Sequence, residues 1–116
     1  MMFSFGPQTA VFIVHEAVDF RNGTEGLSAL CRNTLFKDPL SGAVFVFRNR
    51  SLTSLKLLVW DGQGIWCLHK RLRSGKFKTW PRDGAVLSPL KAHELMVLIF
   101  NGNPFLAEFE PGEKVI

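Results

Sequence analysis

The spacing of hydrophobic positions changes several times along the chain, and each change predicts a new element. Residues 10–18 form a β-branched and aromatic run that predicts a buried strand. Helix start signals follow at residues 22–24. Apolar residues then recur at helical spacing on one face, at Leu27, Leu30, Cys31 and Leu35. Because the residue before a proline avoids helical backbone angles, this first helix, near residues 24–36, ends before Asp38-Pro39.

Segments rich in β-branched and aromatic residues fill the middle of the chain and predict strands. They are residues 43–48, Ser54–Trp60, Ile65–Arg71 and residues 76–80. Between two of them, residues 61–64 read Asp-Gly-Gln-Gly, a strong hairpin signal, since glycine supplies the positive φ that tight turns require. Residues 73–75 are a similar but weaker turn signal. Together these segments predict an antiparallel meander.

The last predicted element is a second helix. Ser88 and Pro89 suit an N-cap and a first helical position, and Gly102 suits a stop. We therefore predict an α+β fold: a small single domain with an antiparallel β-meander of about four to five strands and two helices. The helices lie near residues 24–36 and 89–101 and are expected to cover one face. The domain is predicted to span residues 1–116, with loosely attached ends at residues 1–9 and 103–116.

Odd and even strand positions separate a predicted core from a predicted surface, because side chains two apart share a face. The core positions are Phe45, Phe47, Leu55, Leu57, Val59, Ile65, Cys67 and Phe77. The other parity holds Arg48, Arg50, Lys56, Lys70, Lys76 and Lys78, with Trp60, Trp66 and Trp80 among them. If no β-bulge interrupts a strand, this pattern predicts a basic sheet face that carries tryptophans.

Charge is distributed unevenly along the chain. The net charge is +4, but residues 48–82 hold nine Lys or Arg against one acid, Asp61, which is a local charge of +8. The remainder has five basic and nine acidic residues, a charge of −4. A local excess of this size favours a polyanionic partner. Arg71, from the same segment, joins the basic and tryptophan residues of the sheet face in the predicted nucleic-acid-binding set.

Composition excludes several classes of protein. A chain of 116 residues that is 47% hydrophobic and 21% charged is typical of one folded domain rather than a disordered segment. The strongly apolar runs, residues 10–14 and 95–100, are shorter than the roughly 18 residues of a membrane-spanning helix. The start lacks the basic region of a secretory signal, so we expect a cytoplasmic protein with no membrane partner. Cys31 and Cys67 are expected to be free, buried thiols.

The predicted basic face suits single-stranded or distorted nucleic acid, because cations neutralise phosphates and indoles stack on exposed bases. Two other interpretations remain open. The face could be a solvated sheet whose tryptophans are covered by a helix, with lysines that serve solubility. It could instead dock an acidic protein, for which Trp and Arg are the expected anchors.

Signals for catalysis and for metal binding are weak. A nuclease with two metal ions needs converging acids, and the ones available are Asp19, Asp38, Asp61 and Asp83. Each of these acids is expected to serve a turn or a strand end instead. A zinc site would have to combine Cys67 and His69 with Cys31, His15 or His93. No paired nucleophile and base stand out, so we predict no catalytic residue, no metal and no cofactor.

Several motifs together resemble one known family. They are Val18-Asp-Phe-Arg-Asn-Gly, Asp38-Pro-Leu-Ser-Gly-Ala-Val-Phe-Val-Phe-Arg-Asn-Arg, Leu55-Lys-Leu-Leu-Val-Trp-Asp-Gly-Gln-Gly-Ile-Trp, Lys70-Arg-Leu and Gly75-Lys-Phe-Lys-Thr-Trp-Pro. The chain closely resembles the TnpB-type accessory proteins, the second-open-reading-frame proteins of the insertion sequence 66 family. The resemblance covers about residues 10–102. Departures are modest, at Phe20, Arg73 and the additional Thr79.

The resemblance implies a small protein encoded beside a separate, larger transposase and required for efficient transposition. It brings no catalytic residues to this chain. We therefore expect a non-enzymatic accessory protein of insertion-sequence DNA transposition that binds DNA through the basic face. The alternative is a protein-interaction subunit that docks on the transposase of the same element without contacting DNA.

Overall fold

A five-stranded sheet with one helix on each side forms the protein, which has an α+β fold. The computed structural model describes residues 6–105. The elements, in chain order, are β1 (Val11–Val14), α1 (Thr24–Asn33), β2 (Val44–Arg48), β3 (Ser54–Trp60), β4 (Ile65–Arg71), β5 (Leu87–Leu90) and α2 (Ala92–Ile99). The predicted loose attachment of residues 1–5 and 106–116 lies outside the described residues.

The strands are arranged in the order β4-β3-β2-β1-β5. β2, β3 and β4 pair antiparallel and form the predicted meander. β1 pairs parallel to β2, because α1 lies on the crossover that joins them, and it pairs antiparallel to β5 on its other side. The sheet is therefore mixed but mostly antiparallel, and β4 and β5 are its edges.

Apolar side chains lie on both faces of the central strands. Residues 44–47 of β2 are all buried, and so are residues 54–59 of β3. Leu27, Cys31 and Leu35, from α1 and the residues after it, pack with Phe45 and Phe47 on one face. Leu95 and Leu98 of α2 pack on the other face. The prediction that both helices cover one face is therefore wrong, because continuous apolar runs, unlike alternating ones, need a cover on each side.

Two predicted elements are replaced by different structure. Residues 76–80 are not a strand, because the Phe77 N–H donates to the Leu52 carbonyl in the β2–β3 turn, and the Lys78 N–H donates to Oδ1 of Asn101. Ser88 and Pro89 belong to β5 rather than to the start of a helix. Pro89 is tolerated there because β5 is an edge strand, where one missing donor need not break a ladder.

The two cysteines are free, as predicted. Cys31 is fully buried on the inner face of α1, and burial raises the pKa of its thiol to about 11. Cys67 in β4 is only half-buried, so the prediction that both thiols are buried holds for Cys31 alone. A thiol with a raised pKa stays protonated near neutral pH, which makes Cys31 a packing residue rather than a nucleophile.

The β3–β4 hairpin confirms the turn predicted at residues 61–64. The Asp61 N–H donates to the Gly64 carbonyl at 3.0 Å, and Oδ1 of Asp61 accepts from the N–H groups of Gln63 and Gly64. Oδ2 accepts from Nε1 of Trp66 at 2.7 Å. These bonds, of which the Gly64 N–H and the Trp66 indole contribute most, hold the pKa of Asp61 below its usual range. Gly62 has φ +98°, whereas Gly64 has no positive φ.

A pair of alanine variants tests this turn. Gly62→Ala is expected to lower the free energy of unfolding by about 1 kcal/mol or more, because an L-residue is strained at positive φ. Gly64→Ala is the matched control and should change stability by less than about 0.5 kcal/mol. Both positions have open space for a Cβ, so the difference isolates the backbone angle. Equal losses in urea unfolding of the two variants would contradict the assignment.

Candidate nucleic-acid interface

The predicted basic and tryptophan residues do not share one sheet face. Across β3 and β4, Lys56 pairs with His69 and Trp60 with Ile65, whereas Leu55 pairs with Lys70. In both hairpins an odd-numbered residue pairs with an even-numbered one. Even-numbered residues therefore face α1 in β3 but face α2 in β4. The prediction of a single basic face is wrong because residues of one parity change faces across each hairpin.

Lys56 is a structural residue of the α1 face. Its side chain is buried, at 8% exposure, and Nζ donates to the carbonyls of Phe20 and Asn22 at 2.9 and 3.0 Å. Nζ also lies 4.9 Å from the centre of the Phe20 ring, a cation–π distance. These contacts fasten the segment that leads into α1 onto β3. Lys56 is therefore not available to a phosphate.

Lys70 is engaged by the end of α2. Its Nζ donates to the Ile99 carbonyl at 2.6 Å and lies 4.7 Å from the centre of the Phe100 ring. A cation at this place satisfies one of the carbonyls left free at a helix C-terminus and complements the negative end of the helix dipole. The Lys70 side chain thus attaches the end of α2 to the edge strand β4.

The three tryptophans are distributed between the two ends of the sheet. Trp80 is buried at 7% exposure, packs in the α2-side core and donates from Nε1 to the Val14 carbonyl. Trp66 is 39% exposed and is bonded to Asp61 at the hairpin end of the sheet. Trp60 is half-buried at the same end.

Trp66 and Arg71 lie about 17 Å apart along β4, at about 3.4 Å per residue. Indoles and arginines are therefore not interleaved.

The exposed cations gather at the opposite end of the sheet from the hairpin. β1, β2 and β4 end there, and β3 and β5 begin there. We call this the basic end. Its exposed cations, with those of the segment after β4, are Arg50, Arg71, Arg73, Lys76, Lys78 and Arg82. The turn that carries Arg50 is held by Asn49, whose Oδ1 accepts from the N–H groups of Thr53 and Ser54.

No carboxylate neutralises these cations within the described residues. The ion pairs formed among residues 6–105 are His15 with Asp83 and Arg21 with Asp19. Neither contains a Lys or Arg of residues 48–82. The exposed Arg21 guanidinium instead holds the pKa of Asp19 at about 2, chiefly through its hydrogen bonds to that carboxyl group. The exposed cations of residues 48–82 therefore present their charge to solvent.

A cleft of about 490 Å³ opens at the basic end. We call it the arginine cleft; its charged lining residues are Arg48, Arg50, Arg82 and Glu16, with His15. Arg48 is held in place by the donation of its Nε to the His15 carbonyl at 3.1 Å. Burial and the neighbouring positive charge of Arg82 lower the pKa of Arg48, and Glu16 opposes this shift.

His15 is a functional candidate that sequence reasoning missed. It is 5% exposed, and its Nε2 lies 2.6 Å from Oγ of Ser88. Its Nδ1 lies 3.2 Å from Oδ1 of Asp83, but no described residue forms an aligned hydrogen bond with that nitrogen. No paired nucleophile and base stand out in the sequence, whereas the fold brings the Ser88 hydroxyl to the His15 imidazole. Because Ser88 is 73 residues from His15 in sequence, no local motif could reveal the contact.

The remaining acids and thiols do not converge on a metal. Asp38 accepts from the Leu40 N–H in a turn, as Asp61 does in the hairpin. Among residues 6–105, no group of three or more His, Cys, Asp or Glu side chains is placed to hold a metal ion. In the part of the chain that the structure describes, no helix is long and apolar enough to cross a membrane.

The fold and the basic end define a small α+β protein with an unneutralised cationic surface. Residues 9–104 match the family model of the IS66 Orf2-like proteins, so the chain belongs to that family. Membership identifies it as an accessory type of insertion-sequence protein rather than a member of a known enzyme family.

Two relatives from Sinorhizobium fredii share most of the chain. One, the uncharacterized protein y4jC, is 42% identical over 81 residues, which are 68% of this chain and 69% of the relative. The other, the uncharacterized protein y4hO, is 37% identical over 98 residues, or 82% and 84% of the two chains. No solved structure matches the sequence.

A lysine-to-methionine pair tests the division between structural and exposed cations. Lys56→Met is expected to lower the free energy of unfolding by about 1–3 kcal/mol, because the two carbonyls lose their charged donor. Lys76→Met, at an exposed position, is the control and should stay within about 0.5 kcal/mol of the wild type. Thermal or urea unfolding measures both. A Lys56 variant as stable as the control would show that its buried contacts are dispensable.

Proposed function

We propose that this protein is a non-enzymatic accessory factor of insertion-sequence transposition that binds nucleic acid through the exposed cations of its basic end. One observation carries the proposal. Residues 48–82 hold nine Lys or Arg, and none of them forms an ion pair with a carboxylate of residues 6–105. Cations kept apart from the acids of their own chain are a footprint of binding to a polyanion.

The contact residues of the proposal are fewer than the ten predicted from sequence. Lys56 and Trp80 are buried, and Lys70 is engaged by α2. The residues that remain for contact are Arg48, Arg50, Arg71, Lys76 and Lys78 at or near the basic end, with Trp60 and Trp66 at the hairpin end. Arg82 joins them because it lies beside Arg48 in the arginine cleft.

The salt dependence of binding tests the electrostatic part of the proposal. With about four phosphates neutralised in duplex DNA, log affinity is expected to fall against log salt with a slope of about −4. Replacing Lys76 and Lys78 by Gln should flatten that slope by about two units and leave the melting temperature unchanged. Mobility-shift titrations of random duplexes and of the element's terminal repeats, at several salt concentrations, measure the slope.

The matched control for this double variant is the charge change Arg32→Gln on α1, far along the chain from residues 48–82. It should leave the slope as in the wild type. Absence of binding to duplex DNA, single-stranded DNA and RNA at low salt would overturn the proposal. An unaltered slope in the Lys76 and Lys78 variant would instead show that these two lysines do not contact the nucleic acid.

Trp66 gives a separate test for single strands. If its indole stacks on a base, Trp66→Ala should weaken single-stranded binding by about 1–3 kcal/mol. The indole also donates to Asp61, so Trp66→Phe is the informative companion: it keeps an aromatic surface and loses the bond. Retained affinity in the Phe variant and lost affinity in the Ala variant, by fluorescence anisotropy, supports stacking. Equal affinities in all three proteins contradict it.

A second candidate function is docking on the transposase without DNA contact. The observation that favours it is an exposed apolar patch at the end of α2, where Phe100 is 72% exposed and Met96 is 46% exposed. An apolar groove of about 520 Å³ lies beside it, between α2 and strands β3 and β4. Exposed aromatic and methionine side chains are common at protein interfaces.

The two functions are separated by one pair of variants. Phe100→Ser should abolish co-purification with the transposase and preserve nucleic-acid binding if the patch is a docking surface. The Lys76 and Lys78 variant should show the reverse pattern. If Phe100→Ser reduces neither interaction, the docking alternative loses the observation that favours it.

A further inference from the structure

The arginine cleft combines three features. Its cations come from three separate places: Arg48 ends β2, Arg50 lies in the β2–β3 turn and Arg82 lies in the segment before β5. Its cation Arg48 is fixed by a bond to the His15 carbonyl. The buried imidazole of His15 lines the same cleft, and its Nδ1 has no aligned hydrogen-bond partner among the described residues.

Like charges brought together at a protein surface repel one another, and a bound anion relieves that repulsion. Glu16 is the acid that lines the arginine cleft, and Asp83 stands near it against His15. The three guanidinium groups and the Glu16 carboxylate of the lining sum to +2, a positive charge that attracts both a phosphate monoester and a phosphodiester.

The geometry of guanidinium groups also favours phosphate. Each planar guanidinium offers a fork of donors that fits two phosphate oxygens, and a phosphate has enough oxygens for several such forks. When Nε2 of His15 accepts the Ser88 hydroxyl hydrogen, Nδ1 carries the ring proton and is a further donor, next to the Asp83 carboxylate at 3.2 Å. The volume of about 490 Å³ leaves room for the sugar attached to the phosphate.

We propose that the arginine cleft is a binding site for a phosphate group of a nucleic-acid strand, either the terminal phosphate of a strand end or an internal phosphodiester. This inference rests on the proposed function and deepens it, because it assigns one phosphate to a defined site within the broader cationic surface. Arg82 and Arg50 contact the phosphate. The half-buried Arg48 and the buried His15 position it at the back of the cleft.

The test compares two exposed arginines of the same basic segment. Arg82→Gln removes one cation from the arginine cleft, whereas Arg73→Gln removes one from the turn after β4, outside the cleft. Full-length protein labelled with ¹⁵N is titrated with inorganic phosphate while the Arg48 Nε–H and His15 ring signals are followed by NMR. Wild type and Arg73→Gln should show saturable shifts of both signals. Arg82→Gln should need about tenfold more phosphate or more.

Two oligonucleotides of one sequence, with a 5′-phosphate or a 5′-hydroxyl, identify the source of the phosphate. If the cleft holds a strand end, the 5′-phosphate raises affinity about tenfold in wild type and Arg73→Gln, and the gain disappears in Arg82→Gln. If it holds an internal phosphodiester, the two oligonucleotides bind equally, and Arg82→Gln weakens both more than Arg73→Gln does. Either result supports the site.

Other results overturn the inference and separate its failure from that of the proposed function. Oligonucleotide binding that falls equally in Arg82→Gln and Arg73→Gln, with no phosphate shifts at Arg48 or His15, would overturn the cleft and leave nucleic-acid binding standing. If inorganic phosphate shifts the Arg48 and His15 signals but no oligonucleotide binds, two statements are overturned. They are the assignment of the phosphate to a nucleic-acid strand and the proposed function. Unchanged melting temperatures in both variants ensure that the losses are not failures of folding.

Discussion

Burial of β2 and β3 on both faces is the constraint on which the rest of the molecule depends. Every side chain from Val44 to Phe47 is enclosed, and so are those of residues 54–59. Such strands are stable only when each face of the sheet is covered, so α1 occupies one face and α2, with Phe77 and Trp80, the other. With both central faces covered, exposed charged side chains lie at the edges and the ends of the sheet. The basic end is the place where the topology leaves room for them.

The separation of roles among the cations follows from the same constraint. A lysine that starts on a closed face has to find a partner inside the protein, as Lys56 does on the carbonyls that precede α1. Lys70, near the edge, reaches the end of α2. Cations on turns and strand ends have no such requirement and stay in solvent. Sequence charge alone cannot make this distinction, because it depends on which face a helix covers.

Local signals in the sequence predicted the parts of the fold that depend on neighbouring residues. The hairpin at residues 61–64, the strands Ser54–Trp60 and Ile65–Arg71 and the first helix are all present. The errors concern long-range relations. The register across the hairpins places residues of one parity on opposite faces of β3 and β4. Ser88 and Pro89 belong to β5 instead of starting the second helix. The contact between His15 and Ser88 joins segments that are distant in the sequence. Strand identity is a local property, whereas the side of the sheet that a residue faces is not.

The position of β1 has a consequence for how the chain can assemble. β1 lies between β2 and β5, so Ile13 pairs with Val46 on one side and with Ser88 on the other. Its second edge stays unpaired until residues 87–90 have left the ribosome, and contacts of such sequence separation form slowly. A shortened product that ends before residue 87 would carry the basic segment on a sheet with an open strand edge, a state prone to association with other chains. The arrangement makes a closed sheet at the basic end depend on the synthesis of β5.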